Sequence, residues 1–97
     1  MKAYCASFNV GNVEVWGTNL YLDKNSVFLE IKESKDEIFE RIDDFSLSVT
    51  EEKLDSIWSE VILNIKKYGK YKDKINELDF FILEQPILEK FGSCNIG

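Results

Sequence analysis

The strongest constraint on the fold is the stretch 50–69, in which apolar residues recur at intervals of three and four. These residues are Leu54, Ile57, Trp58, Val61, Ile62, Ile65 and Tyr68. The spacing places them on one stripe of an α-helix and predicts that this stripe faces the core. Acids in the first turn, lysines in the last turn and Gly69 after it are typical of helix ends. The sequence therefore predicts a core helix over 51–68, and Leu63, which lies off the stripe, indicates packing on a second side.

Length and composition predict a single domain over 1–97 with one core, since the chain has 97 residues of which 44% are hydrophobic. No apolar run approaches the roughly 20 residues that a membrane-spanning helix requires. The first residues lack the continuous apolar block of a signal peptide, so we expect a soluble, cytoplasmic protein. Cys5 and Cys94 lie far apart in the sequence, and we expect both to be reduced, with no metal and no cofactor.

A β-hairpin is predicted at the start of the chain, because Gly11-Asn12 is typical of a two-residue turn between strands. We expect strands over 1–10 and 13–22, with Val10 opposite Val13.

In the second strand, the apolar residues change from one side to the other near Gly17. This change indicates either a bulge at Gly17 or a sheet that is apolar on both faces. The segment Val27–Lys32 also alternates and predicts a third strand. The three strands would form an antiparallel meander.

Helices are predicted after the meander. Ser34 with Glu37 three residues later has the form of a capping box, and it predicts a helix whose inner face is Ile38, Ile42 and Phe45.

The segment Tyr71–Glu84 has a helical pattern, although the run 80–83 fits a short buried strand equally well. Pro86 suits the start of a short helix through Phe91. We therefore expect an α+β fold in which a three-stranded antiparallel meander is followed by three to four helices packed on the sheet.

Charge is concentrated in the middle of the chain. The net charge is −6, and the segment 30–60 has eleven acids and four bases, a net charge of −7. Such a field repels phosphate and attracts basic protein surfaces, so we expect a basic protein partner, no nucleic acid and no membrane. The alternative is a solvated acidic face that only keeps the protein soluble.

The candidate partner-binding residues are the acids of the helix predicted after Ser34 and of the turn before it. They are Glu33, Asp36, Glu37, Glu40, Asp43 and Asp44. Asp36, Glu40 and Asp44 are spaced by four and form a ridge of like charge on one side of that helix.

Residue types argue against an enzyme. Histidine is absent, which removes the usual general base and the commonest metal ligand. No glycine lies in a phosphate-binding motif. The only candidates for carboxylate catalysis are Asp43-Asp44 and the ridge of Asp36, Glu40 and Asp44, and solvated acids are the simpler interpretation.

A group of lysines interleaved with Tyr68 and Tyr71 resembles a surface for single-stranded nucleic acid. The lysines are Lys66, Lys67, Lys70, Lys72 and Lys74. Lysines are also expected at a helix C-terminus, and the chain is acidic, so we do not predict nucleic-acid binding.

Size, acidic charge and the lack of catalytic residues are similar to those of small acidic bacterial immunity proteins of the colicin and contact-dependent inhibition systems. The resemblance implies an inhibitor, an immunity protein or antitoxin, that blocks a basic toxin such as a nuclease. Two alternatives remain. One is a non-catalytic structural or regulatory subunit, homodimeric through its sheet, and the other is a phage-encoded inhibitor of a host nucleic-acid-binding defence protein.

Overall fold

The computed structural model describes residues 1–46 and 48–86, which form an α+β fold of one four-stranded antiparallel sheet and three helices. In chain order the elements are β1 (Lys2–Val10), β2 (Val13–Gly17), α1 (Lys24–Glu33), α2 (Lys35–Phe45), α3 (Glu51–Tyr68), β3 (Lys70–Asp73) and β4 (Leu78–Pro86). The predicted α+β class is confirmed. The predicted three-stranded meander is wrong, because the strand order is β2-β1-β4-β3 and two of the strands follow the last helix.

The hairpin at Gly11-Asn12 is confirmed. Both turn residues have positive φ, 57° and 70°, as the tight turns that join twisted strands require, and Val10 pairs with Val13. The register shifts at Val15, so the bulge lies two residues before Gly17.

Strand β2 is shorter than expected, because it ends at Gly17. Trp16 is buried in the core, whereas Leu20 and Leu22 beyond the strand are 59% and 65% exposed. After β2, Thr18 still exchanges hydrogen bonds with Ala6 of β1, and an isolated bridge joins Tyr21 to Tyr4.

The predicted third strand, Val27–Lys32, is wrong, since these residues lie in α1. The side chain of Asp23 caps this helix by accepting a hydrogen bond from the backbone N–H of Ser26 at 2.8 Å. Val27 and Ile31, spaced by four, are fully buried on one side of the helix.

The predicted helix over 71–84 is also wrong, and the alternative of a strand at 80–83 is right. Strand β4 pairs along the whole of β1, and the stacked rings of Phe8 and Phe80 have centroids 4.2 Å apart. Ile75, which the helical pattern placed on an inner face, lies in the turn before β4 and is 91% exposed. Pro86 is the last residue of β4, and the rest of the predicted helix through Phe91 lies outside the described residues, as does Cys94.

Helix α2 begins after Ser34 as predicted, but the Ser34 side chain makes no capping hydrogen bond. Ser34 also ends α1, where its backbone N–H donates to the carbonyl oxygen of Glu30, and this position prevents the extended conformation of a usual N-cap. Ile38 and Ile42 are buried as expected, whereas Phe45 is 50% exposed, so its placement in the core is wrong.

Helix α3 has the predicted bounds, Glu51–Tyr68. Thr50 Oγ1 accepts a hydrogen bond from the backbone N–H of Lys53 at 3.2 Å, and Gly69 ends the helix in the left-handed region with φ 75°. Leu54, Val61 and Ile65 of the predicted stripe are buried, and Ile57, Trp58 and Ile62 are partly buried against the core. Leu63 and Tyr68 are each 62% exposed, so the expectations that Leu63 packs on a second side and that Tyr68 lies in the core are wrong.

The core is one hydrophobic cluster that joins alternate residues of β1 and β4 to the buried sides of all three helices. Helix α2 meets α3 within it, where the rings of Phe39 and Trp58 pack edge to face with centroids 5.3 Å apart. Within the described ranges, no helix has the length and apolar character needed to cross a membrane.

Candidate functional site

The six predicted partner-binding acids lie together on the segment from the end of α1 to the last turn of α2. Asp43 is half-buried, and the other five are exposed. We call Glu33, Asp36, Glu37, Glu40, Asp43 and Asp44 the acidic surface. Glu33 is the last residue of α1, and the other five acids lie on α2.

Buried side chains hold α2 in place beneath the acidic surface. Ile38, Phe39 and Ile42 are at most 5% exposed and belong to the core cluster. Because the opposite side of the same helix carries the acids, their positions are fixed by a packed element.

Glu37 differs from the other acids in having two polar partners. Its Oε1 accepts a hydrogen bond from Trp16 Nε1 at 3.2 Å, and its Oε2 lies 3.2 Å from Arg41 Nη2. Glu37 therefore joins α2 to β2 and is partly neutralised.

Both bases of α2 form ion pairs. Arg41 pairs with Glu37 on the same helix, and Lys35 Nζ lies 3.0 Å from Oδ1 of Asp55 on α3. In residues 1–46 and 48–86, Asp36, Glu40, Asp43 and Asp44 have no ion pair. The negative field of the acidic surface is therefore not cancelled from within the described part of the chain.

Phe45 adds an aromatic side chain to one end of the acidic surface. It is the last residue of α2, next to Asp44, and is 50% exposed. Sequence reasoning missed it, because its spacing from Ile38 and Ile42 is that of a core residue. The one signal in the sequence is its place in the final turn, where a helix can leave the core.

The described acids do not form a metal-binding group. Across the residues that the structure describes, no group of three or more cysteine, aspartate or glutamate side chains is arranged to hold a metal ion.

The predicted lysine group is divided between two grooves and a turn. Lys66 and Lys67 line a groove of about 510 Å³ together with Lys24. Lys70 and Lys72 line a second groove of about 500 Å³. Lys74 lies in the turn between β3 and β4.

Comparisons of the chain with protein families, with curated proteins and with solved structures find no match. The function is therefore inferred from the chemistry of the surfaces.

Proposed function

We propose that this chain is a small inhibitor protein that binds a basic protein through the acidic surface. The observation that carries the proposal is the pairing on α2: both of its bases are engaged in ion pairs, and four of its acids have none among the described residues. A surface of this kind raises the association rate of a basic partner.

The acidic surface also has the parts of a protein interface. Phe45 supplies an exposed aromatic side chain, the type of residue that most often anchors a binding interface, and the carboxylates form a charged rim beside it. The buried side of α2 keeps this arrangement rigid, so little conformational entropy is lost on binding.

In its concrete form, the proposal is an immunity protein or antitoxin whose partner is a basic toxin with nuclease activity. A nuclease recognises phosphates largely through Lys and Arg side chains. A ridge of carboxylates on a rigid helix can occupy those side chains and exclude the substrate. A phage-encoded inhibitor of a nucleic-acid-binding defence protein would use the same surface in the same way.

The proposal is tested by capture and inhibition. The purified chain is immobilised, exposed to lysate of its source organism at low salt and washed with about 1 M salt, where the Debye length is about 3 Å. We expect one basic protein to be retained and then released by salt, and its nuclease activity to be lost when the free chain is added. Capture of further copies of the chain alone would instead support the homodimeric subunit.

Matched variants show whether the acidic surface is the binding surface. Glu40→Lys with Asp44→Lys changes the net charge by the same amount as Glu60→Lys with Glu77→Lys, and all four side chains are exposed. The first pair should abolish capture, and the second should leave most of it. Equal loss in both would mean that only net charge matters, and the acidic surface would have no specific role.

A further inference from the structure

A second surface has the opposite charge. The groove of about 510 Å³ lies between the first turn of α1, the last turn of α3 and the strands β1 and β4. We call it the basic groove. Lys24, Lys66 and Lys67 lie on it, and Ile65 and Ile82 contribute apolar surface. Its volume is in the range of about 300 to 1,000 Å³ that small-molecule sites occupy.

The basic groove has an excess of positive charge although the chain is acidic overall. Lys24, Lys66 and Lys67 form no ion pair with any described residue. Glu84, the one acid among the described residues of the groove, is already paired, since its Oε2 lies 2.9 Å from Lys2 Nζ. That hydrogen bond lowers the pKa of the Glu84 carboxyl and raises the pKa of Lys2. Three ammonium groups are thus available to an anion.

Each of these lysines lies near an aromatic ring that also lines the groove. The Nζ atoms of Lys24, Lys66 and Lys67 are 5.5, 5.8 and 5.3 Å from the ring centroids of Tyr4, Phe28 and Tyr68. The rings hold the ammonium groups near the groove without neutralising them.

Tyr68 is the most informative residue of the groove. Its spacing in α3 is that of a core residue, yet 62% of it is exposed. It is the last residue of α3 and lines the basic groove. Gly69 follows it and allows the chain to leave the helix at once.

We propose that the basic groove binds a nucleotide, with its phosphates at Lys24, Lys66 and Lys67 and its base against Tyr68. Ammonium groups bind phosphate as point charges, and stacking on an aromatic ring is available to every base. Asn25 and Glu84, on the wall of the groove, offer hydrogen-bonding groups to the donor and acceptor edge of a base.

The same wall favours a nucleotide over an acidic peptide. The Glu84 carboxylate accepts hydrogen bonds, which the amino group of a base can donate and the side-chain carboxylate of an acidic peptide cannot. The site does not use a glycine-rich phosphate loop, so no sequence motif marks it. It shares no residue with the acidic surface, and the two proposals can fail separately.

The test measures the anisotropy of a fluorescent ATP analogue at low salt, followed by competition. We expect a Kd below about 1 mM and displacement by unlabelled ATP. Adenosine should compete much more weakly, because it lacks the phosphates. Any of three results would overturn the proposal: no binding of the analogue at 1 mM, equal competition by polyglutamate and ATP, or binding of oligothymidylate without binding of ATP.

Two pairs of matched variants locate the site. Lys24→Glu with Lys66→Glu should weaken ATP binding about tenfold or more, while Lys53→Glu with Lys74→Glu, which has the same net charge, should change it by less than about twofold. Tyr68→Ala should weaken binding, and Leu63→Ala, at a position of the same helix with the same 62% exposure, should not.

Circular dichroism checks that each variant is folded. If the charge reversal unfolds the chain, Lys24→Gln with Lys66→Gln removes the two charges more gently and should weaken binding in the same direction. Unchanged affinity in the folded groove variants would overturn the proposal.

Discussion

Trp16 on β2 and Glu37 on α2 are joined by a hydrogen bond, in which Nε1 of the indole donates to Oε1 of the carboxylate at 3.2 Å. The indole is 5% exposed and also packs against the ring of Phe8, with centroids 5.3 Å apart. The hydrogen bond thus links a buried side chain of the sheet to an exposed carboxylate of the acidic surface. This contact fixes α2 against the edge of the sheet, and it gives Glu37 a structural role that the other acids lack.

Trp16→Phe should therefore destabilise the fold more than Glu37→Gln. Loss of the donor and of part of the buried ring should cost about 1 to 3 kcal/mol. Glu37→Gln keeps a carbonyl oxygen for the indole and loses only an exposed ion pair with Arg41, which is worth about 0 to 1 kcal/mol. Urea denaturation of both variants measures the two costs. Equal costs would show that the charge of Glu37, and not the hydrogen bond, stabilises this junction.

Two positions on α3 give a direct test of the core. Ile65 is 1% exposed and Leu63 is 62% exposed, although both are aliphatic and lie two residues apart. Ile65→Ala should cost about 2 to 5 kcal/mol, and Leu63→Ala should lie within about 0.5 kcal/mol of wild type. The free energy of unfolding in urea checks both. A large cost at Leu63 would indicate a contact on the second side of the helix after all.

Elements whose signals are local could be predicted from the sequence. Helix α3 carries a capping threonine, a terminal glycine and an apolar stripe that agree with one another, so its bounds follow from neighbouring residues alone. The turn at Gly11-Asn12 is equally local, because its conformation requires residues that tolerate positive φ.

Elements that depend on distant partners could not be predicted in this way. Strand β4 pairs with β1 across about seventy residues, and nothing within 78–86 identifies that partner. In the predicted meander Val27–Lys32 would have paired with β2, but β2 is an edge strand of the described sheet and these residues form α1 instead. In a helix, Val27 and Ile31 still reach the core.

The acids of the candidate site could be read from the sequence, because charge on an exposed helix face needs no tertiary information. The pairing of Lys35 with a residue outside α2 could not. The ion pair of Lys35 with Asp55 depends on how α2 and α3 meet, and the exposure of Phe45 and Tyr68 depends on where each helix leaves the core. Both aromatic residues have the sequence spacing of core residues, and only the packing of the helices shows that their side chains are exposed.

The hydrogen bonds of the turn between β3 and β4 predict how the stability of the fold depends on pH. The carboxylate of Asp73 accepts hydrogen bonds from the side chain of Asn76 at 2.7 Å and from the backbone N–H of Ile75 at 3.0 Å. The side-chain hydrogen bond is the main cause of a lowered pKa at Asp73. A carboxyl whose pKa is lower in the folded state stabilises the fold above its unfolded pKa of about 3.9, and this contribution is lost as the pH falls through the folded pKa.

Asn76→Ala should therefore raise the pKa of Asp73 toward its ordinary value, and NMR titration of the carboxyl carbon measures the change. The variant should be less stable than wild type at pH 7, and the difference should shrink as the pH falls below about 4. A stability difference that is the same at pH 7 and pH 3 would assign it to lost packing or turn geometry.

The interface proposed for α2 predicts separate roles for charge and for Phe45. Reversal of Glu40 and Asp44 should mainly slow association, since exposed charges act at a distance and are screened over about 10 Å at 0.1 M salt. Phe45→Ala should mainly speed dissociation, because an aromatic anchor acts only after contact, and truncation of such anchors costs about 2 kcal/mol or more. Kinetic binding measurements on the captured partner at several salt concentrations separate the two effects.

Stability distinguishes this role of Phe45 from an ordinary packing role. Because half of the side chain is exposed, Phe45→Ala should cost less than the loss of a buried residue such as Ile42. Leu63→Ala, which removes another exposed apolar side chain, should leave both rate constants unchanged. If Phe45→Ala lowers stability by several kcal/mol and does not change the dissociation rate, the ring belongs to the core. The binding surface would then consist of the carboxylates without an apolar anchor.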